Sequence, residues 1–346
     1  MVIKKLGKVV CGISGGVDSS VAAYLLKKKG YDVTGVFMRN WDSRDAGERC
    51  VLDADESDAQ FVCDHLEIPM RTVNFVKPYW HSVFSTMLEE YQRGWTPNPD
   101  VLCNRAIKFG VFHQHATERL GADLIATGHY ARLRPFSGGR VQLLHAVDAA
   151  KDQSFFLAQV EQGALQRSLF PVGDLEKAAV RQVALSIGLH KIATKKESMG
   201  LCFIGKRPFR AFVEQYVEPK EGSFVDLETG KVLGAHSGIH SWTVGQRCHM
   251  GGLASAYYVA HRCPLTQRIT VWWNCCANCA KLRQIINPAT CCHKIDFLPT
   301  FAPRLHRNAA EYLCRDQTEI HCREIRHPPA TLFNTCADWK KMARRK

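Results

Sequence analysis

Residues 8–20, Lys8-Val-Val-Cys-Gly-Ile-Ser-Gly-Gly-Val-Asp-Ser-Ser20, join an apolar run to a helical pattern through two adjacent glycines. The run from Lys8 to Ile13 reads as a strand. Behind a capping Asp or Ser, the apolar residues from Val21 to Leu26 recur at helical spacing, and Gly30 closes that helix. A strand that turns through glycines into a helix brings free backbone N–H groups and the positive end of the helix dipole to one point. That point is a cradle for a phosphate group. The hydroxyls of Ser14, Ser19 and Ser20 can add donors to it. The Gly-Lys-Ser/Thr ending of the Walker loop is absent. A plain glycine turn capped by Asp18 is the alternative reading.

The pattern then repeats. Tyr31 to Met38 alternates in a strand-like way around Val33, Val36 and Phe37. Helices are expected over residues 53–66, 79–92 and 105–120, with strands near residues 70–75 and from Ala122 to Thr127. Strands alternating with helices predict an α/β fold, a doubly wound and mostly parallel sheet. After residue 210 the texture changes. Residues 221–247 are rich in Gly, Ser, Thr and Val, with turn signals at Glu228-Thr-Gly and Ser237-Gly, which predicts a small mixed or β-rich domain. From residue 274 cysteine, proline and arginine dominate. The expected organisation is an α/β domain over 1–210, a small central domain over 211–273 and a β-type C-terminal segment over 274–346. A length of 346 residues suits two or three domains.

With 46 Lys+Arg against 33 Asp+Glu, the formal net charge is +13. Such a surface favours a polyanion such as nucleic acid, and less often an acidic membrane. A basic protein with no such partner is the alternative. No uncharged apolar run approaches the ~20 residues needed to span a bilayer. A hydrophobic content of 46% rules out intrinsic disorder. Of 15 cysteines, five (Cys11, Cys50, Cys63, Cys103 and Cys202) precede Cys248. The odd count and irregular spacing suit a reducing compartment rather than a disulfide framework. The first residues carry no apolar stretch of signal-peptide length, so export is not expected, while import into an organelle stays open.

Two strings put thiols in reactive surroundings. Thr96-Pro-Asn98-Pro99-Asp100-Val-Leu-Cys103-Asn104 precedes a helix containing Lys108. Its prolines predict an extended loop, with Cys103 near the helix start, where the dipole lowers a thiol pKa. Asp100 stands three residues away and could exchange protons with a substrate. In Lys195-Lys196-Glu-Ser-Met-Gly-Leu-Cys202-Phe-Ile-Gly-Lys206, lysines flank a second thiol and favour its thiolate. For both cysteines a buried, inert core thiol is the competing reading.

The glycine string resembles the pyrophosphate loop of the ATP pyrophosphatases, which activate a carbonyl oxygen as an adenylate. Further strings narrow the resemblance. They are Phe37-Met38-Arg39-Asn40-Trp41, the Cys103 string, Thr127-Gly128-His129-Tyr130-Ala131-Arg132, Lys151-Asp152-Gln153-Ser154, the Cys202 string and Thr243-Val-Gly-Gln-Arg247. In that order they look like the tRNA-specific 2-thiouridylases, closely from residue 8 to about 250 and faintly beyond. The resemblance implies a sulfurtransferase of adenine nucleotide alpha hydrolase-like fold, which replaces O2 of the wobble uridine with sulfur. It implies ATP with Mg2+ as cofactor, and a persulfide sulfur donor supplied by a protein of a cysteine desulfurase relay. The implied partner is tRNA with Lys, Glu or Gln type anticodons, and no membrane is implied. Gly12, Ser14, Gly15, Gly16, Val17, Asp18 and Ser19 would cradle the phosphates, while Met38 and the Gly128 backbone would hold the adenosine. Asn98, Pro99 and Asp100 would meet the base, and Lys151, Asp152, Gln153, Arg326 and His327 would touch tRNA. Cys202 would carry the persulfide and Cys103 would be its partner thiol. His129 is read as a structural support of the nucleotide site. Glu197-Ser-Met-Gly200 is closer to the mitochondrial branch than to the bacterial one, so a mitochondrial location is expected, or a cytoplasmic one for a bacterial chain.

The family's C-terminal β-barrel continues past the equivalent of residue 336, so a shortened final domain is expected. A catalytically impaired tRNA-binding isoform is therefore one alternative, and another synthetase of the same superfamily is a second. Cys275-Cys-Ala-Asn-Cys279 with Cys291-Cys-His293 has zinc-like ligand chemistry, but its doubled cysteines give no clean spacing and no metal site is expected.

Overall fold

The computed structural model describes residues 6–42, 51–196, 209–253 and 255–273. Residues 197–206 of the Cys202 string, the cysteine-rich segment of 275–293, Arg326 and His327 lie outside the described residues.

By its packing the chain divides into two units, one of residues 1–91 with 97–217, the other of residues 92–96 with 218–346. In the first unit, β1 (Lys8–Gly12), β2 (Asp32–Arg39), β3 (Met70–Asn74), β4 (Leu124–Ala126) and β7 (Ser168–Leu169) form one parallel sheet in the order β3-β2-β1-β4-β7. β5 (Ala131–Pro135) and β6 (Val141–His145) pair apart from it as a hairpin. Buried parallel strands must be apolar on both faces, and β1 is. Val9 and Cys11 enter one core cluster, while Val10 between them enters the other.

Helices cover each face. On the Val9 side lie α1 (Val17–Lys28), α2 (Val51–His65) and the later helix Lys177–Ser186, contributing Val21, Ala22, Val62 and Val180. On the Val10 side lie two longer helices, α3 over residues 76–92 and α4 over residues 99–118. Each contains a wide π turn, Trp80–Phe84 in α3 and Asn104–Val111 in α4. The expected parallel α/β architecture is what the chain adopts.

Three local expectations need correction. α1 is capped by Gly16 rather than by an Asp or Ser side chain, and Asp18 stands in its first turn. α3 begins at Val76, three residues before the expected start. α4 begins at Pro99 rather than at 105. Proline at the first helical position has no N–H to orphan and its fixed φ suits a helix, so the second proline of the predicted loop starts the helix instead. Cys103 consequently lies inside that helix, and its side chain joins the core cluster on the Val10 side.

The second unit is a five-stranded sheet in the order β10-β11-β12-β8-β9, formed by β8 (Gly222–Asp226), β9 (Val232–His236), β10 (Arg247–Cys248), β11 (Tyr257–Cys263) and β12 (Arg268–Trp272). Its own core gathers Phe224, Ile239, Val259, Ile269 and Val271. The short segment of 92–96 belongs here because Arg262 Nη2 donates to Thr96 Oγ1 at 2.8 Å.

Candidate functional site

In an open parallel sheet, ligands bind where the strand order reverses, beyond the carboxyl ends of the strands. In this sheet β1 is that point, with β2 on one side and β4 on the other. The residues leaving β1 are the glycine loop; those leaving β4 are Thr127, Gly128 and His129.

The loop holds its shape through its serines. The Ser14 N–H donates to Ser19 Oγ at 3.1 Å, while Ser19 Oγ and Ser20 Oγ donate to the Gly16 carbonyl at 3.0 and 2.8 Å. Gly15 has φ +70°, and a Cβ there would lie 2.4 Å from the Asp55 carbonyl oxygen. Gly128 is tighter against the loop than the sequence suggests. A Cβ on it would meet Ser19 N at 2.6 Å and the Asp18 carbonyl carbon at 2.7 Å. Its absent side chain thus lets β4 close on the loop. Met38 reaches over the end of β1, its Cε 3.2 Å from where a Cβ on Gly12 would stand.

Two lysines outside the motif tie the loop to its surroundings. Lys177 Nζ donates to both Asp18 oxygens at 2.8 and 2.7 Å, and Tyr130 Oη donates to Asp18 Oδ1 at 2.7 Å. Lys195 Nζ donates to the Gly15 carbonyl at 3.2 Å, to Asp55 Oδ1 at 2.8 Å and to Asp58 Oδ2 at 2.6 Å. Burial pulls the Lys195 pKa down, but its bonds to Asp55 and Asp58 outweigh that and raise it overall. Burial likewise works against the Asp58 carboxylate, and the bonds from Lys191 and Lys195 prevail and lower its pKa. The Lys195 charge is therefore committed to two carboxylates beside the phosphate loop.

α4 carries the candidate residues Asn98, Asp100 and Cys103, together with Lys108. Asn98 caps it, Oδ1 accepting from the Val101 N–H at 3.1 Å. Asp100 follows in the first turn at the surface, where desolvation raises its pKa and Lys108 pulls it partly back. Cys103 is 7% exposed. Lys108 Nζ donates to His129 Nε2 at 3.3 Å, and His129 Nδ1 bonds Thr127 Oγ1 at 2.7 Å. Burial, then the Lys108 charge, drives the His129 pKa far below its ordinary value, so the ring is neutral and accepts from the lysine. Helix and phosphate loop thus meet through Thr127, Gly128 and His129.

Lys151, Asp152 and Gln153 follow the β5–β6 hairpin. Asp152 turns inward, accepting from the Ala146 N–H at 2.9 Å and from Ser154 Oγ at 2.8 Å. Gln153 Oε1 accepts from the Tyr130 N–H at 3.0 Å. Both side chains therefore shape this turn, and Lys151 is its cation. Lys177 and Lys195 as loop partners escaped sequence reasoning. They stand 159 and 180 positions from the residues they hold, with only a basic character as signal. The remaining described thiols of the first unit are deep in the core, where burial raises Cys11 and pushes Cys63 up to about 12.

A parallel sheet with a glycine loop and helix start at its switch point defines a nucleotide-binding α/β protein. Residues 7–206 match the family described as tRNA methyl transferase HUP domain, and residues 210–272 match the tRNA methyl transferase PRC-barrel domain. The chain is 51% identical to the Mitochondrial tRNA-specific 2-thiouridylase 1 of Drosophila melanogaster, over 73% of this chain and 67% of that protein. It is 49% identical to the human protein of the same name, over 75% of this chain and 67% of that one. The tRNA-specific 2-thiouridylase MnmA of Malacoplasma penetrans is 47% identical over 74% and 72%. This chain belongs to their family, that of the tRNA-specific 2-thiouridylases.

Proposed function

We propose that this protein is an ATP-dependent tRNA sulfurtransferase that replaces O2 of the wobble uridine with sulfur. The observation carrying this reading is the junction at β4. Gly128 packs on the phosphate loop, while His129, the next residue, bonds the helix that carries Asp100 and Cys103. This junction supports a reading in which one end of the sheet serves both a nucleotide and the Cys103 thiol.

The triphosphate lies over Ser14 to Ser19, with Met38 and the Gly128 edge beside the adenosine. Mg2+ would arrive with the bound ATP and would offset the charge on its phosphates. Among the described residues no three His, Cys, Asp or Glu side chains converge to cage a metal. Uridine O2 attacks the α-phosphorus and pyrophosphate leaves. Asp100, with its raised pKa, exchanges the N3 proton. Adenylation turns a poor amide-like electrophile into one with a good leaving group. The terminal sulfur of a Cys202 persulfide attacks C2 and AMP departs. The Cys103 thiolate then attacks Cys202 Sγ, which closes a disulfide and releases the 2-thiouridine. In a second route Cys103 attacks the persulfide first and frees hydrosulfide to do the same work at C2.

Asn98 and Pro99 flank the base, and Lys151 and Gln153, with Asp152 shaping their turn, meet the tRNA. Arg326 and His327 extend that contact. The sulfur arrives from a cysteine desulfurase relay, and the acceptors are tRNAs of Lys, Glu and Gln type. The mitochondrial names of the fly and human relatives support a mitochondrial location. The test is incubation with ATP, a persulfide donor and unmodified tRNA, followed by mass spectrometry for 2-thiouridine. Its appearance, and its loss in Cys103→Ser and Cys202→Ser, is expected. Turnover that survives both substitutions overturns the thiol assignment.

A further inference from the structure

α4 carries a cation to which none of the motifs assigns a role. Lys108 stands eight residues after Asp100 on α4. In an unbroken α-helix of 3.6 residues per turn, eight steps leave two residues about 80° apart around the axis. α4 is not unbroken. Its Asn104–Val111 section is a π turn, with more residues in each turn, which closes most of that offset. Gly110 suits the wider turn, since a Cβ there would stand 3.0 Å from the Arg105 carbonyl oxygen, five residues back. Helical side chains also lean toward the N-terminus, a rule that directs the Lys108 stem toward the Asp100 end of α4, and the Lys108 charge acts on Asp100.

Its partner is built to hold it. His129 is 6% exposed, with the Phe109 and Phe170 ring centroids 5.8 and 5.9 Å from its own. Its Nδ1–H is directed at Thr127 Oγ1, which leaves Nε2 as an acceptor aimed at the ammonium. A neutral acceptor orients a cation without neutralising it. This differs from Lys177 and Lys195, whose charges are matched by carboxylates.

We propose that the π turn of α4 and the Nε2 acceptor of His129 together pin the Lys108 ammonium toward Asp100, making Lys108 the positioning residue for proton transfer at the target base. The proposal rests on the sulfurtransferase reading for its substrate, but the placement of Lys108 does not. During adenylation uridine loses its N3 proton as O2 attacks phosphorus. A fixed positive charge beside Asp100 stabilises its carboxylate, the form able to take that proton, against the desolvation that opposes it. Lys108 is the charged group that acts on Asp100 among the described residues, and His129, the titratable group packed against Lys108, carries no charge.

The experiment uses the full chain with Lys108→Met, Lys108→Arg and His129→Phe. Thiolation and pyrophosphate release are followed against pH, and the Asp100 carboxyl is followed by carbon NMR. In Lys108→Met the Asp100 carboxyl titrates at higher pH than in the unsubstituted chain. The acidic limb of kcat moves the same way, and kcat near neutrality falls at least about tenfold, with KM for ATP held. Lys108→Arg restores most of the rate. His129→Phe gives a smaller shift in the same direction, and it carries the test should Lys108→Met fail to fold. An unmoved Asp100 titration overturns the proposal. So does a rise in KM for tRNA with the kcat profile in place, which would make Lys108 a phosphate contact. If the unsubstituted chain forms no 2-thiouridine, the functional reading fails, and the NMR titration still decides the placement.

Discussion

Cys103 concentrates the functional question at the residue scale, because it lies in a core helix and yet beside Asp100. Its replacement by serine should abolish 2-thiouridine formation, by at least about a hundredfold, while ATP affinity stays within a few-fold, as equilibrium binding would show. His129 allows a prediction about pH. Its folded pKa lies far below its ordinary 6.5, so the unfolded chain takes up the proton first. Stability contributed by the neutral ring is complete above about pH 6.5 and declines as pH falls below it, by up to about 1.4 kcal/mol per pH unit. Urea midpoints at pH 7.5 and 5.5 should therefore differ, and His129→Gln should narrow the gap. Motif spacing made Asp100, Cys103 and the loop serines candidates, because each string holds its residues close together in sequence. It could not expose Lys177, which meets Asp18 across 159 positions.

Among the elements, the two glycine-dependent approaches are the most vulnerable. Alanine at Gly128 would place a carbon 2.6 Å from Ser19 N, and backbone on both sides cannot yield as a flexible side chain would. Gly128→Ala should cost about 1–3 kcal/mol of stability and weaken ATP binding at least tenfold, since the loop itself is displaced; calorimetry measures both. The Lys177–Asp18 pair is mostly shielded from water, with the lysine side chain 11% exposed. Lys177→Met should cost about 1.5–3 kcal/mol, the range for hydrogen bonds to charged groups, read from urea unfolding. Strands and helices of the first unit were legible because β1 and β4 are apolar runs bounded by turn residues and β2 alternates. The start of α4 was misplaced because a proline before a helix and a proline in a loop share the same local signature. π turns leave no mark on hydrophobic periodicity that a sequence alone reveals.

At the scale of the whole molecule, each unit has a core of its own. Both large clusters draw only on the first unit and the third only on the second. Residues 1–217 expressed alone should therefore fold cooperatively, as circular dichroism would report, and bind ATP. With a net charge of +13, tRNA affinity of the full chain should drop at least about tenfold between roughly 50 and 200 mM salt; filter binding against salt measures the slope. The strand order also has a consequence for how the protein comes into being. β1 completes its pairing only when β4 arrives, and the first β4 residue, Leu124, is made 112 positions after Gly12. At about 5–20 residues per second, a ribosome leaves that edge of β1 exposed for roughly 6–22 s. An import pore that threads the chain N-terminus first imposes the same order. Until residue 126 of 346 has emerged, the glycine loop has no floor on its β4 side. A nascent chain thus lacks one wall of the loop until then, and any chaperone that shields the β1 edge has a fixed interval in which to act.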